Sequence, residues 1–254
     1  MSLRLTKKSR REPRVSHPLT MITGASSGIG EASARAFSAA GHPLLLLARR
    51  LERMEALQLP NTLCRAVDVR DRAAIAAALN EAEGRYGPVD CVINNAGVAH
   101  LANVLEQDPL EWDEMIAVNA TGMLNVLHAV MSAMAARRHG TIINMSSIAG
   151  RKNYPDHTVY GGTKYFVHAV SESIRGKLAP YDVRVMVVSP GMVETEVLDH
   201  VTDPKTLRSY QEAKNRIGGG ISADHVAASM LFAYGLPQSV LIQELCLAPT
   251  RQQY

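Results

Sequence analysis

Short apolar runs alternate along this 254-residue chain with longer helix-like stretches, and this alternation limits the folds open to it more than any other feature. Residues 44–47 are four consecutive leucines, and the other runs do not alternate cleanly with polar residues either. A strand that is covered on both faces shows this pattern, because both faces must then be apolar. The runs predict strands at residues 19–23, 43–48, 62–67, 89–93, 141–145, 183–188 and 240–247.

The stretches between these runs have the composition and end signals of helices. Several are rich in alanine, and Gly41, Pro180 and Gly235 stand where three of them would end. The predicted helices are 30–40, 71–84, 111–138 with an interruption near 119–122, 160–178 and 222–234. Strands that alternate with helices form βαβ units with right-handed crossovers. We therefore predict an α/β fold with a single doubly wound, Rossmann-type parallel sheet of about seven strands and helices on both faces.

Two segments lie outside this alternation. Residues 1–17 carry six Lys or Arg between Arg4 and Arg14 against one Glu, so we expect a solvated, disordered extension, with a basic arm for nucleic acid or an anionic membrane as the alternative. Residues 196–220 are polar, contain Pro204 and end in three glycines. Loops of this length are usually functional or mobile. Within a single catalytic domain at 18–254, this segment is predicted to be a substrate loop that acts as a lid, with a variable surface excursion as the alternative.

Charge, cysteine count and hydropathy narrow the function classes. The net charge is +3, and the three cysteines are an odd number set among apolar residues. No apolar run approaches the ~18 residues of a membrane span. The basic N-terminus is not followed by the apolar segment of a secretory signal. We expect a cytoplasmic protein with buried free thiols and no metal, nucleic-acid partner or membrane partner.

A glycine-rich turn joins the first predicted strand to the first predicted helix, where residues 23–30 read Thr-Gly-Ala-Ser-Ser-Gly-Ile-Gly. The first glycine suits a tight turn, the second lets the backbone approach a pyrophosphate, and the third lets the helix pack closely on the sheet. The helix N-terminus and the two serine hydroxyls can donate to phosphates. This context predicts a dinucleotide site that includes Gly24, Ser26, Ser27, Gly28, Ile29 and Gly30.

Two arginines follow the second predicted strand and indicate which dinucleotide binds. Arg49 lies 19 residues after Gly30, where dinucleotide-binding proteins place the residue that contacts the adenosine ribose. An acid would hydrogen-bond the ribose 2′-hydroxyl of NAD, whereas Arg49 and Arg50 would bind a 2′-phosphate with charge-assisted bonds. We predict NADP(H) as the cofactor. The alternative is that both are solvated charges at a helix start.

A second set of residues has the spacing of a known catalytic group. Tyr160 and Lys164 are four residues apart and would share a helix face. Ser147 precedes Tyr160 by 13 residues, and Asn119 precedes Ser147 by 28. Together with the Gly-x-x-x-Gly-x-Gly spacing, this pattern resembles the short-chain dehydrogenase/reductase superfamily. The resemblance implies that Tyr160 transfers the proton, Lys164 lowers the tyrosine pKa and binds the ribose, Ser147 stabilises the substrate oxygen, and Asn119 holds a water.

The resemblance extends to further cofactor contacts at strand ends. It implies that Asp68 and Val69 flank the adenine, and that the Asn-Asn-Ala-Gly motif at 94–97 holds strand ends together near the ribose through Asn95. After the sixth strand, residues 189–195 resemble the segment that contacts the nicotinamide carboxamide. These implied cofactor contacts are Asp68, Val69, Asn95, Ala96, Gly97, Tyr160, Lys164, Pro190, Gly191, Val193 and Thr195. The resemblance also implies a homotetramer, with contacts through the helices around Asn119 and Tyr160.

These motifs predict an NADP(H)-dependent oxidoreductase that transfers a hydride between the nicotinamide and a small alcohol or ketone. Residues 49–53 and 247–250 look similar to those of NADP-dependent 3-hydroxy acid and serine dehydrogenases, so a 3-hydroxy acid or β-hydroxy amino acid is one hypothesis. Its carboxylate would need a cation, which Arg151 or Lys152 could supply. The alternatives are reduction of another carbonyl substrate, or a non-catalytic redox sensor, although such sensors typically lose the Tyr or the Lys.

Overall fold

The computed structural model describes residues 17–253, without the side chain of His200. The predicted extension at 1–17 lies outside the described residues except for His17. The strands are β1 Leu19–Thr23, β2 Leu44–Ala48, β3 Thr62–Ala66, β4 Val89–Asn94, β5 Gly140–Met145, β6 Val183–Pro190, β7 Val193–Glu194, β8 Ile221–Ser222 and β9 Glu244–Leu247. The helices are α1 Gly28–Ala39, α2 Leu51–Glu55, α3 Arg72–Tyr86, α4 Pro109–Met115, α5 Met123–Arg137, α6 Thr158–Leu178, α7 Pro204–Arg216 and α8 Ala223–Tyr234.

Seven strands form one parallel sheet in the order β3-β2-β1-β4-β5-β6-β9. The strands β1, β2 and β3 therefore follow one another outward on one side of the sheet. The chain then crosses back to β4, beside β1, and adds β5, β6 and β9 on the other side. Where the strand order reverses, the connections leave in opposite directions and open a crevice at the carboxyl ends of β1 and β4. The predicted Rossmann-type fold class is confirmed, and it sets the site at this crevice.

The two faces of the sheet are both covered, which explains the apolar runs. In β2, Leu45 and Leu47 pack into the core with α3, α5 and α6, whereas Leu44 and Leu46 pack into the core with α1 and α8. All four side chains are fully buried. Because successive residues of a strand point to opposite faces, a strand between two helical layers is buried along its whole length, and an unbroken apolar run suits it.

The long predicted helix at 111–138 is interrupted where the sequence suggested. Between α4 and α5 the chain forms a π-helix at Ile116–Gly122. Together, Pro109–Arg137 make a helical segment that is long and apolar enough, by length and composition, to cross a membrane. Of its most apolar window, 56% is buried inside the protein, where Met115, Val126 and Val130 join the core. Core packing therefore accounts for part of this segment's apolar composition.

Two predictions needed correction. The last strand begins at Glu244 rather than at 240, because the buried Arg184 guanidinium binds the Val240 and Leu236 carbonyls, at 3.4 and 3.0 Å, before the strand begins.

The segment 196–220, predicted as a loop, contains a 3₁₀ turn at Glu196–His200 and the helix α7. The Asp203 carboxylate caps α7 by accepting from the backbone N–H groups of residues 205 and 206, and proline follows at the first helical position. The Asp-Pro pair was the sequence signal for this helix.

The cysteine prediction also needed correction. Cys91 is buried, but Cys64 is only partly buried and Cys246 is exposed.

Candidate active site

The glycine-rich turn is tightly packed against the end of β4. Gly24 has φ +65°, and a Cβ there would lie 2.9 Å from the Cα of Ala96. A Cβ on Gly30 would lie 2.1 Å from the carbonyl oxygen of Gly24. A side chain at either position would therefore force the turn away from the sheet, and the turn would lose its shape.

The N-terminus of α1 faces the crevice with its first N–H groups available to a ligand. Ser27 stands at the N-cap position in extended backbone, and its side chain makes no capping hydrogen bond. The first N–H groups of a helix have no partner within the helix and carry a partial positive charge. This arrangement suits a phosphate.

Arginines surround the outer side of this turn. The Arg50 guanidinium donates to Ser27 Oγ at 2.9 Å and Ser26 Oγ at 3.4 Å. Arg50 and Arg53 also pair with Glu196, at 3.2 and 2.8 Å. Arg49 lies 3.8 Å from a Glu114 carboxylate oxygen. A cluster of three guanidinium groups beside the phosphate-binding turn fits a further phosphate on the adenosine ribose.

Asn95 joins the ends of β1 and β4. The backbone N–H groups of Asn95 and Ala96 both donate to Thr23 Oγ1 at 3.0 Å. The Asn95 amide donates in return to the carbonyls of Thr23 and Gly24, at 3.0 and 3.3 Å. These four bonds hold the two strand ends in the arrangement that the sequence motif implied.

Asp68 lies at the end of β3 beside the cavity, but its carboxylate already accepts hydrogen bonds from Arg70. The Arg70 Nη2 and Nε donate to the two carboxylate oxygens at 2.6 and 2.9 Å, and the backbone N–H donates at 2.9 Å. These bonds lower the pKa of Asp68. A hydrogen bond from an adenine amine would therefore reach a carboxylate that is ionised and held in place.

Tyr160, Ser147 and Lys164 meet at the inner end of the cavity. Burial raises the pKa of Tyr160, and a hydrogen bond with Ser147 partly opposes that shift. Lys164 Nζ lies over the Tyr160 ring, 5.6 Å from its centroid, and donates to the Met145 carbonyl at 3.1 Å. Burial lowers the pKa of Lys164 to about 8. The lowering of the tyrosine pKa by Lys164 that the resemblance implies stays a prediction.

Asn119 lies behind this group rather than in the cavity wall. Its side chain is buried on the π-helix; Oδ1 accepts from the Val98 N–H at 2.8 Å, and Nδ2 donates to the Val98 carbonyl at 2.8 Å. Nδ2 also reaches Thr163 Oγ1 at 3.1 Å. The side chain therefore positions the chain after β4 against α6, and its water-holding role stays a prediction.

One cavity of about 550 Å³ contains almost every predicted site residue. The exceptions are Asn119 and Gly30, which support the wall from behind. Sequence reasoning missed a further group of cavity residues that come from the segment before α6, the segment 192–213 and the chain's end: Tyr154, His157, Met192, Glu196, Leu198, Tyr210 and Gln252. Met192 lies in the 189–195 segment and Glu196, Leu198 and Tyr210 lie in the predicted substrate loop, but no spacing marked them individually. Tyr154, His157 and Gln252 belong to no local motif; Gln252 reaches the site by accepting from the Met192 N–H at 2.9 Å.

The cations proposed for a substrate carboxylate lie elsewhere. Neither Arg151 nor Lys152 lines the cavity. Arg151 is exposed and pairs with Glu244 on β9, and the Lys152 ammonium lies 5.9 Å from the ring centroid of Tyr154. Neither side chain is placed to meet a substrate beside Ser147.

Comparison with known proteins agrees with this geometry. The family profile described as short chain dehydrogenase matches residues 19–206. Sulfoacetaldehyde reductase from Chromohalobacter salexigens is 37% identical over 241 residues, which cover 92% of this chain and 94% of that protein. The closed form of serine dehydrogenase complexed with NADP+ has a TM-score of 0.86 at 32% identity, over 93% of this chain and 96% of that one. Serine dehydrogenase from Escherichia coli has a TM-score of 0.81 at 31% identity, over 93% and 100%.

A crevice at the carboxyl ends of β1 and β4 that is lined by a glycine-rich turn and by Tyr160, Ser147 and Lys164 is typical of a Rossmann-type oxidoreductase. Since the family profile covers most of the chain and relatives above 30% identity extend over nearly all of it, the chain belongs to the short-chain dehydrogenase/reductase family.

The lowered pKa of Lys164 predicts a pH dependence of stability. Because the folded-state pKa is about 8 and the ordinary value is 10.5, the unfolded chain binds more protons between these values, and this residue's contribution rises with pH through that window. From pH 7 to 9.5, we expect the free energy of unfolding of the native chain to rise relative to that of Lys164→Met by about 2 kcal/mol. Urea titrations at both pH values measure this difference. The exposed Lys177→Met variant is the control and should follow the native chain; identical pH dependence in all three would contradict the assignment.

Proposed function

We propose that this chain is an NADP(H)-dependent oxidoreductase that interconverts an alcohol and its carbonyl compound. The observation that carries the proposal is that Tyr160, Ser147 and Lys164 share one cavity with the glycine-rich turn and its arginines. The likeness to a serine dehydrogenase complexed with NADP+ supports it. A non-catalytic redox sensor would have no need of a tyrosine, serine and lysine brought together at the inner end of the nucleotide site.

We expect the cofactor to lie along this cavity. The α1 N-terminus would hold the pyrophosphate, Arg49 and Arg50 would hold the 2′-phosphate, and the strand ends after β3 and β4 would hold the adenosine. The nicotinamide end would meet the residues after β6, namely Pro190, Gly191, Val193 and Thr195. When bound, the nicotinamide cofactor supplies or accepts the hydride.

The protein's own part in the reaction is proton transfer and positioning. In the reducing direction, the Tyr160 hydroxyl donates its proton to the substrate oxygen while Ser147 donates a hydrogen bond to the same oxygen. The Lys164 ammonium then stabilises the phenolate, because it lies against the ring in a buried, low-dielectric site. In the oxidising direction, the same phenolate accepts the proton from the alcohol.

The arginines predict a preference between the two nicotinamide cofactors. We expect the native chain to bind NADPH much more tightly than NADH, and Arg49→Ala and Arg50→Ala each to weaken NADPH binding by roughly 10- to 100-fold, because each removes charge-assisted bonds to the 2′-phosphate. NADH binding should change little. Fluorescence titration measures both affinities, with Tyr160→Phe as a control that keeps the preference. Equal binding of NADH and NADPH by the native chain would show the arginine interpretation to be wrong.

Tyr160→Phe tests the proton-transfer role. The change removes one hydroxyl and keeps the ring, so we expect kcat to fall roughly 10²- to 10⁴-fold while NADPH affinity stays the same. Initial rates of NADPH oxidation, measured at saturating cofactor, report this loss. The exposed Tyr181→Phe variant should keep native activity. A Tyr160→Phe enzyme with native kcat would remove Tyr160 from the mechanism.

The outer faces of the helices around the site support a further proposal, that the chain forms a homotetramer. Leu110, Ile116, Leu124 and Tyr165 are large apolar side chains on α4 to α6 that are between 41% and 72% exposed. Burying them against another copy would be favourable. We expect light scattering to give four times the chain mass for the native protein and a smaller mass for Leu124→Glu. The exposed Lys205→Glu, on α7, is the control; a monomeric native protein would refute the proposal.

A further inference from the structure

Beyond Tyr160, the cavity is bounded by an aromatic wall, which we define as Tyr154, His157 and Tyr210. The His157 ring stacks on Tyr210 with centroids 6.4 Å apart and an interplanar angle of 23°. It meets Tyr154 at 5.6 Å and the edge of the catalytic Tyr160 at 6.1 Å. These separations are those of aromatic pairs in contact. The wall therefore runs continuously from the reacting position to α7, which supplies Tyr210.

The aromatic wall carries no charge near neutral pH. His157 Nδ1 lies 2.7 Å from the Pro155 carbonyl oxygen, which can only accept, so Nδ1 carries a proton. Burial lowers the pKa of His157 by more than this hydrogen bond and Asp156 raise it, which favours the neutral imidazole. Burial raises the pKa of Tyr154 and of Tyr210, so both phenols keep their protons.

An apolar cluster continues this surface. Ala99, Leu101 and Val201 are buried together, and Tyr160, Tyr210 and partly buried side chains of residues 197–207 pack on them. Leu101 and Leu198 also line the cavity itself. A substrate group that enters here exchanges water for aromatic and aliphatic carbon, which favours an apolar substituent.

The charged groups of the cavity disfavour the binding of an anionic substrate beside the aromatic wall. Among the described residues that line it, the only Lys or Arg side chains are Arg49, Arg50 and Lys164. The arginines follow β2 beside the glycine-rich turn, and Lys164 lies over the Tyr160 ring. Asp156, Asp199 and Glu196 also line the cavity, whereas the Lys152 ammonium lies 5.9 Å from the Tyr154 ring centroid without lining it. Among the described lining residues, an anion held against the wall would meet no cation of its own and would face the carboxylates of Asp156 and Asp199.

We infer that the substrate of this oxidoreductase is an uncharged carbonyl compound, or its alcohol, whose aromatic or bulky apolar substituent lies against the aromatic wall. The inference rests on the proposed function and specifies its substrate class. It differs from the substrates that the relatives' names state, serine and sulfoacetaldehyde, which carry a carboxylate and a sulfonate. The positive charge of Lys164 beside the reacting carbonyl argues equally against a cationic substrate.

Matched ester and acid pairs test the charge. The full-length protein with NADPH is assayed with methyl benzoylformate and benzoylformate, and with ethyl acetoacetate and acetoacetate. We expect kcat/KM for each ester to exceed that for its acid by roughly 100-fold, because the acid must bury an unpaired carboxylate. The aryl ester should exceed the alkyl ester by roughly tenfold, because its ring contacts the aromatic wall.

Variants of the wall separate this explanation from a general loss of activity. Tyr210→Ala should abolish the preference for the aryl ester over the alkyl ester, and Tyr210→Phe should restore it. Ser209→Arg places a guanidinium on the cavity side of α7, and should raise kcat/KM for the acids by roughly tenfold while lowering that for the esters. Lys152→Ala, outside the cavity, should leave the ester-to-acid ratio unchanged.

Each outcome decides between the possibilities. Acids that react as well as their esters would overturn the substrate class and leave the oxidoreductase function standing, as would an ester-to-acid ratio that depends on Lys152. An aryl preference unaffected by Tyr210→Ala would overturn the role of the wall. If the protein binds NADPH but turns over none of the four compounds, the inferred substrate class fails, whereas a native protein that binds neither NADPH nor NADH would refute the proposed function as well.

Discussion

Four hydrogen bonds link Thr23 and Gly24 at the end of β1 to Asn95 and Ala96 after β4, and the rest of the site is placed relative to that junction. The glycine-rich turn leaves β1 at this point, and the chain that carries Val98 leaves β4. The Asn119 side chain then binds both the backbone N–H and the backbone carbonyl of Val98. It joins Val98 to α6 through a hydrogen bond to Thr163. The glycine-rich turn and α6 are thus linked through a short series of partly and fully buried hydrogen bonds, which a low local dielectric strengthens.

Burial shifts the pKa values of Tyr160 and Lys164, the proposed proton-transfer pair, in opposite directions. It raises the pKa of Tyr160 and lowers that of Lys164, so it disfavours the phenolate and the ammonium alike when each is considered alone. When both are charged, their attraction in the same buried site offsets part of that cost. The raised pKa keeps the tyrosine protonated before it transfers its proton to a substrate oxygen. A residue that acts as a general acid must be protonated at that point.

The segment after β6 serves both ends of the cavity. Glu196 pairs with Arg50 and Arg53 near the adenosine end, whereas Tyr210, further along the same segment, stacks on His157 beside Tyr160. Glu194 is held by Lys214 and by the N–H of Gly220, which closes the segment on itself. Residues 196–220, which we expected to be a loop, therefore contain regular structure. They contact Arg50 and Arg53 at one end of the cavity and the aromatic wall at the other.

The sequence by itself determined the features that depend on neighbouring residues. Unbroken apolar runs such as 44–47 determined a sheet covered on both faces, the spacing of Gly24, Gly28 and Gly30 determined the phosphate-binding turn, and Tyr160 and Lys164 were paired by the period of a helix. Each rests on a local rule of backbone geometry, so each could be predicted. The start of β9 could not, since the carbonyl of Val240 is taken by Arg184 from another strand.

Tertiary structure alone decided which distant side chains share the cavity and what charge surrounds a substrate. Tyr154, Tyr210 and Gln252 come from segments that no motif connects, and they meet only because the sheet order brings the ends of β5, β6 and β9 to one edge. Arg151 lies close in sequence to Ser147 but turns to Glu244 on β9. The number of residues between two positions does not tell which side chains meet in the folded protein. Burial, ion pairing and charge at a site depend on three-dimensional packing.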